Sequence, residues 1–341
     1  MPAITPSSNQ RVLSGMRPTG ALHLGHYHGV LKNWLRLQHQ YQCFFFVADW
    51  HALTTHYNEP RIIGENLWEM VIDWLAVGID PSTVTLFIQS QVPEHAELHL
   101  LLSMITPVSW LERVPSYKDQ QERLKERDLA TYGFLGYPLL QAADILIYKA
   151  GQVPVGEDQV AHIELTREIA RRFNHLYTKE TAAAILPEPA ALLTPASKMP
   201  GLDGQKMSKS YANTIALREQ PASIEKKLRT MPTDPARVRR SDRGDPDRCP
   251  VWRFHEIYSA EDTRAWVQQG CRGAGIGCLD CKRPVIDAVL AETDPFRKRA
   301  QEYQERMDWV RNLIEAGCAA ARQVAGETLA EVHRALGLIT K

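Results

Sequence analysis

The 341-residue sequence has no net charge, because 40 Lys and Arg balance 40 Asp and Glu. Without an overall field, any contact with nucleic acid must come from a local basic patch. Long apolar runs are missing too. The longest, Cys43 to Ala48, is far too short to span a bilayer. The opening M-P-A-I-T-P-S-S-N-Q has no basic stretch followed by an apolar one, so no secretory signal is expected. A cytoplasmic location follows as the expectation, with the six cysteines reduced unless they hold a metal. Internal repeats and low-complexity tracts are absent. What remains is ordinary for a globular enzyme: 44% hydrophobic, 23% charged, and long enough for two domains.

Short apolar runs alternate with helical segments. Gln10 to Ser14 holds one strand, C-F-F-F-V-A (43–48) a second, V-T-L-F-I-Q (84–89) a third, and V-P-V (153–155) a short fourth. The second has the continuous apolar character of a strand buried on both faces. A helix is expected over about 24–38, where Val30, Trp34 and Leu37 recur at helical spacing, and another from Val160 with Ala161, Leu165, Ile169 and Phe173 on one stripe. This pattern predicts a doubly wound, Rossmann-type α/β fold with a parallel sheet, whose ligands bind at the carboxyl ends of strands. After about residue 214 the texture changes, and from Pro284 onward the chain reads as helix. The expected division is a catalytic domain over 1–214 and a mainly α-helical domain over 215–341.

Residues 23–29 read H-L-G-H-Y-H-G. His23 and His26 could share a helix face around a metal, but no Cys, Asp or Glu lies nearby to complete a shell. Gly25 would instead let a ligand approach a helix N-terminus, where free N–H groups favour anions and imidazoles donate to phosphate oxygens. Residues 205–210 read Q-K-M-S-K-S, with Gly201 and Gly204 just before. H-x-G-H followed downstream by K-M-S-K-S resembles the two signature motifs of class I aminoacyl-tRNA synthetases. The resemblance implies ATP, with Mg²⁺ carried by its phosphates, an aminoacyl-adenylate and a tRNA acceptor. His23 and His26 would hold the ATP phosphates, and Lys206 and Lys209 would neutralise the departing pyrophosphate. Arg17, Thr19, Gly25, Met207 and Ser208 would complete the ATP site, with Lys118 of R-V-P-S-Y-K as a further phosphate contact.

Asp144 lies among apolar residues, where an unpaired carboxylate would be costly. An indole N–H or a phenol O–H would each satisfy it, and physics alone does not choose. Glu157 and Asp158 read equally well as first-turn acids. A-A-D-I-L, V-P-V-G-E-D-Q and H-I-E-L-T-R (142–146, 153–159, 162–167) resemble the tryptophanyl branch of that family rather than the tyrosyl one. On that match Asp144 would take the indole N–H, and Tyr137, Gln141 and Gln159 would line the tryptophan site. Gly156 and Asp158 would meet the adenosine ribose. Arg17 and Gln141 depart from many bacterial members, which carry Gln and Met there. The resemblance further implies tRNA(Trp) and L-tryptophan as partners and a homodimer built largely from residues 95–175. A small-molecule nucleotidylyltransferase, a tyrosine enzyme and a non-catalytic RNA-binding paralogue are the alternatives; intact signature residues speak against the last.

Cys249, Cys271, Cys278 and Cys281 are spaced C-x21-C-x6-C-x2-C, a metal-ligand pattern in a reduced compartment. Only one C-x-x-C is present, so zinc is possible but not favoured, and four thiolates also suit a [4Fe–4S] cluster. The spacing resembles a bacterial tryptophanyl subgroup that carries such a cluster, with the first gap one residue shorter here. Cys43 and Cys318 read as small core residues. Arg237, Arg239, Arg240 and Arg243, interleaved with aspartates, suit either a solvated loop or tRNA phosphate contacts. Trp252 and Phe254 read as core.

Overall fold

The computed structural model describes residues 10–115, 129–178, 183–193 and 199–339. Five parallel strands form one sheet: β1 (Arg11–Met16), β2 (Gln42–Val47), β3 (Val84–Ile88), β4 (Gln152–Val155) and β5 (Ala190–Leu193). Their spatial order is β3-β2-β1-β4-β5. The doubly wound expectation holds, and the order reverses between β1 and β4. β2 sits beside β1 and β3, and five of its six residues are buried, as its unbroken apolar run requires. β5 is a strand the sequence reading missed: A-A-L-L is short, half-buried and free of β-branched residues.

The first crossover is broken into α1 (Leu24–His26), a π-helical turn (Tyr27–Leu31) and α2 (Lys32–Leu37). α3 (Asp49–His56) follows β2, and α4 (Arg61–Val77) returns to β3, closing at Gly78 with φ +111°. Trp34 of α2 stacks on Phe45 of β2 at 4.1 Å and meets Trp74 of α4 edge-on at 5.2 Å, which fixes these helices on one face of the sheet. α5 (Glu94–Ser103), α6 (Val108–Glu112), α7 (Tyr132–Ile147) and α8 (Val160–Tyr177) complete the 1–214 region. On α8, Leu165, Ile169 and Phe173 are buried as the stripe predicts, with Ala161 half-buried.

Beyond residue 214 the described elements are all helical: α9 (Pro221–Thr230), α10 (Pro250–Tyr258), α11 (Glu261–Arg272), α12 (Cys278–Gln304) and α13 (Met307–Leu336), with one short 3-10 turn (Pro246–Arg248) before α10. Helix α12 begins six residues before Pro284. All of these helices except α11 share one continuous core with the sheet. α12 packs along α4, and α13 runs beside β3. A Cβ on Gly317 would lie 1.9 Å from the Leu86 carbonyl oxygen, and the Ile88 N–H donates to Cys318 Sγ at 3.5 Å. Leu86 and Ile88 project their backbone groups to the same side, so α13 covers the free edge of β3. Cys43 and Cys318 are buried, as are Trp252 and Phe254. Among the described residues no helix is long and apolar enough to cross a membrane.

Candidate active site

A cavity of about 360 Å³ opens at the carboxyl ends of the strands, between β1 and β4. This is where a parallel sheet whose order reverses leaves a crevice. Arg17, Tyr137, Gln141, Asp144, Gly156 and Gln159 all line it, so sequence-predicted residues from α7 and from the segments that follow β1 and β4 meet there.

At the rim, His23 caps α1. Its Nδ1 accepts from the Gly25 N–H at 3.1 Å, while His26 Nδ1 accepts from the His23 N–H at 3.2 Å. With both Nδ1 atoms occupied as acceptors, each neutral ring carries its proton on Nε2, which faces away from the helix. The two rings lie 3.8 Å apart. Burial, with Lys209 adding, pushes His23 down to about 4. Burial, then His23, Lys209 and Lys206, holds His26 well below its ordinary value. Both are neutral N–H donors at pH 7.

The lysine loop meets this helix directly. A Cβ on Gly25 would sit 2.8 Å from His23 Cε1 and 3.3 Å from Met207 Cβ; one on Gly20, whose φ is +128°, would sit 2.9 Å from Lys209 Nζ. Two glycines therefore allow two motifs 180 residues apart to touch. The loop is shaped from within by Asn213. Its Oδ1 accepts from the Ser208 N–H at 2.8 Å, and its Nδ2 donates to Asp203 Oδ1 at 2.7 Å and the Lys206 carbonyl at 3.2 Å. Residues just after the loop are tied to α1: Leu24 N–H donates to the Ile215 carbonyl and Leu217 N–H to that of Leu22, both at 3.0 Å. Met207 is buried, whereas Lys206 and Lys209 stay exposed. Thr19 sits in the turn below, its N–H on the Arg17 carbonyl at 2.9 Å.

At the floor, Asp144 is 1% exposed. The sequence reading left its partner to a bound ligand, but the protein already supplies three. His51 Nε2 donates to Oδ2 at 2.7 Å, His95 Nδ1 to Oδ1 at 2.6 Å, and Gln89 Nε2 to both oxygens at 2.8 and 3.0 Å. Because a carboxylate only accepts, His95 Nε2 is left to accept from the Tyr148 hydroxyl at 2.7 Å. Burial pushes Asp144 upward, but the hydrogen bonds and charges of His51 and His95 outweigh it and hold the acid at about 2. A carboxylate offers about four lone-pair directions, and these four contacts occupy them, so a further donor would have to displace one of the present partners. Beside it, Tyr137 Oη lies 3.4 Å from His162 Nε2. At the end of β4, Gln159 Nε2 donates to Asp158 Oδ2 at 3.1 Å, and a Cβ on Gly156 would be 2.8 Å from Asp158 Oδ1. Lys118 lies outside the described residues.

Sequence reasoning missed His51, Gln89, His95 and Asn213. It also missed a polar link at the π-helical turn. His28 Nε2 contacts Glu292 Oε2 at 2.9 Å and Tyr258 Oη at 3.0 Å, and the Tyr258 hydroxyl donates to Glu292 at 2.6 Å. This joins the signature helix to α10 and α12. The only available signal was three histidines in one short run.

The four cysteines sit where helices end: Cys249 before α10, Cys271 in the last turn of α11, Cys278 and Cys281 in the first turn of α12. Burial first, then Cys249, Cys271 and Cys278, raises the Cys281 thiol to about 12, so the four share one neighbourhood. Among the described residues, however, no group of three or more His, Cys, Asp or Glu is gathered so that it could hold a metal ion. His255 Nε2 lies 3.4 Å from Cys281 Sγ. Arg237 is neither solvated nor free for phosphate. It is buried, pointing Nη1 at Cys271 Sγ (3.7 Å) and Nη2 at the carbonyls of Ile276 (2.5 Å) and Arg240 (3.1 Å). Arg239, Arg240 and Arg243 are exposed.

The family profile described as tRNA synthetases class I (W and Y) matches residues 5–291. The chain is 59% identical to the tryptophan–tRNA ligase of Ralstonia nicotianae, over 96% of this chain and 98% of that one. It is 52% identical to the Thermotoga maritima tryptophan–tRNA ligase, over 96% and 99%. The fold is similar to tryptophanyl-tRNA synthetase from Campylobacter jejuni complexed with ADP and tryptophan, with a TM-score of 0.86 at 32% identity over 96% of this chain and 100% of that one.

Proposed function

The chain belongs to the class I tRNA synthetases of the tryptophan and tyrosine group, and on that premise we propose how its own residues carry out the ligation. It is a tryptophan–tRNA ligase. Tryptophan and ATP give tryptophanyl-adenylate and pyrophosphate, and the tryptophanyl group then passes to the 3′-terminal ribose of tRNA(Trp).

In this reading tryptophan lies over the floor, its indole N–H taking over an acceptor direction of Asp144 that His51 or Gln89 otherwise fills. The acid stays ionised because His51 and His95 hold it so, and a side chain without that N–H leaves it under-paired. Tyr137, Gln141 and Gln159 hold the amino end, and Gly156 and Asp158 meet the ribose. The carboxylate of tryptophan attacks the α-phosphorus of ATP. His23 and His26 donate Nε2–H to the phosphate oxygens as charge builds, and as neutral donors they need no proton exchange to do so. Lys206 and Lys209 neutralise the leaving pyrophosphate, with Thr19, Met207 and Ser208 shaping the pocket and Arg17 and Lys118 adding positive charge. Mg²⁺ would ride on the phosphates, because among the described residues no carboxylate cluster stands at the rim to cage it. The observation that carries the reading is the contact of the two signature motifs through Gly20 and Gly25, beside a cavity floored by Asp144.

Residues 1–214 serve as the catalytic unit and 215–341 as the tRNA-facing helices of a cytoplasmic enzyme. A second copy would pair through residues 95–175, where Leu100, Met104, Val108 and Tyr132 are exposed apolar side chains. Cys249, Cys271, Cys278 and Cys281 form a donor set suited to a [4Fe–4S] cluster, which would serve as a structural clasp for three helix ends. Anaerobic purification tests this: brown protein with iron and sulfide is expected, and a colourless zinc protein overturns it.

Amino-acid-dependent pyrophosphate–ATP exchange tests the function itself. Exchange with tryptophan and not tyrosine is expected. Exchange with tyrosine would keep the chemistry and overturn the specificity, and exchange with neither would overturn the enzyme reading.

A further inference from the structure

A second cavity, of about 390 Å³, lies away from the strand ends, between residues 218–220 and the last turns of α12. Its lining is Arg218, Gln220, Arg297, Lys298, Gln301 and Gln304, with Ala300 the single apolar member. No carboxylate faces it. The acids stand behind the cations: Glu69 and Asp73 pair with Arg218, and Asp294 pairs with Arg297 and, at 2.7 Å, with Lys298. That arrangement holds the cationic heads in place without filling the space in front of them. Arg297 spends Nη2 on Asp294, while its Nη1 is buried with no hydrogen-bond partner among the described residues. That N–H is closed to solvent, so a ligand in the cavity would be met instead by Lys298 and the glutamine amides beside the two guanidinium groups.

We propose that this cavity is a phosphate-binding subsite distinct from the ATP site. Glu69, Asp73 and Asp294 balance the three cations, so an anion would be held by directed hydrogen bonds rather than by net charge, and a guanidinium fork matches phosphate oxygens. The glutamine amides both donate and accept, so they can pair with phosphate oxygens and with the hydroxyls of an attached ribose. The volume admits a sugar–phosphate unit, and RNA backbone is the source that the proposed ligase function supplies. Free inorganic phosphate carries the same chemistry, so the test separates the two.

Full-length Lys298→Gln, Arg297→Gln and the double variant are compared with the parent in three measurements. Tryptophan-dependent pyrophosphate–ATP exchange needs no tRNA and should be unchanged. If RNA backbone occupies the cavity, the KM for tRNA in aminoacylation rises about five- to tenfold in the double variant. The log–log salt slope then flattens by about one per charge removed. If free phosphate occupies it, millimolar inorganic phosphate raises the parent's melting temperature, not the double variant's, and the KM for tRNA stays put. Parent-like values in both readouts overturn the subsite. Lys298 is largely exposed, so its single variant carries the test even if changing Arg297 disturbs folding. Absent exchange in the parent would refute the ligase reading alone, leaving the phosphate-dependent melting shift to decide the cavity.

Discussion

At the floor of the first cavity, Asp144 accepts from His51, His95 and Gln89 before any substrate arrives. At the rim, His23 and His26 use Nδ1 on the backbone of their own helix and leave Nε2 outward, and Lys206 and Lys209 stand exposed on a loop. The floor is a nearly saturated network, and the rim is a set of unspent donors. The difference follows from what each must do. On the proposed function, a group that chooses between indole and phenol must be rigid and already charged, whereas groups that follow charge through a transition state must have capacity left when it develops.

The largest expected effect breaks the rim. Lys209→Ala should slow tryptophan-dependent exchange by about 10²–10³-fold and leave the KM for tryptophan near its parent value, since the floor is untouched. A parent-like rate would remove the leaving-group role. Breaking the floor should be milder and of opposite kind. Asp144→Asn should lower kcat/KM for tryptophan by about 10–100-fold with the KM for ATP unchanged; equal losses on both substrates would show that the two ends are not separable. Gly25→Ala places a methyl against the His23 ring and Met207. It should cost about tenfold in exchange rate, and an unaltered rate would mean that the imidazoles are not positioned by this contact.

Acid titration sharpens the comparison with the smallest perturbation. His23 is held at about 4, chiefly by burial, below its ordinary 6.5. The unfolded chain therefore binds the extra proton first, and stability from this group is lost as pH falls from about 6.5 toward 4. His162 and His255, also held at about 4 by burial, act in the same window. Asp144, held at about 2 against an ordinary 3.8, is lost only below that range. NMR titration of the imidazole protons should place the His23 midpoint near 4, and a midpoint near 6.5 would contradict the neutral-donor role.

Much of this was legible in the sequence, for reasons that differ by residue. β2 and β3 announce themselves because strands buried on both faces leave nearly unbroken apolar runs, β1 and β4 show only short apolar stretches, and β5 is missed because A-A-L-L is short and half-buried. The signature motifs were readable by order and spelling, yet their contact rests on Gly20 and Gly25 and was not. Asp144 was visible as a carboxylate in apolar surroundings. Its three partners come from α3, the turn after β3 and α5, and no local pattern links positions 51, 89 and 95 to 144. Arg237 shows the same blindness in reverse: composition made it a loop cation, and burial makes it a bracket for Cys271.

Helix α13, laid along the outer edge of β3, bears on how the chain is made. β3 is complete once residue 88 has left the ribosome, but the groups of Leu86 and Ile88 that face outward stay uncovered until Gly317 and Cys318 emerge more than two hundred residues later. For that interval a bare strand edge is a template for pairing with any other extended chain. A message broken before that helix would encode every residue of the adenylation site and still yield aggregation-prone protein. The last helix is thus a safeguard against edge-to-edge pairing as much as a part of the core.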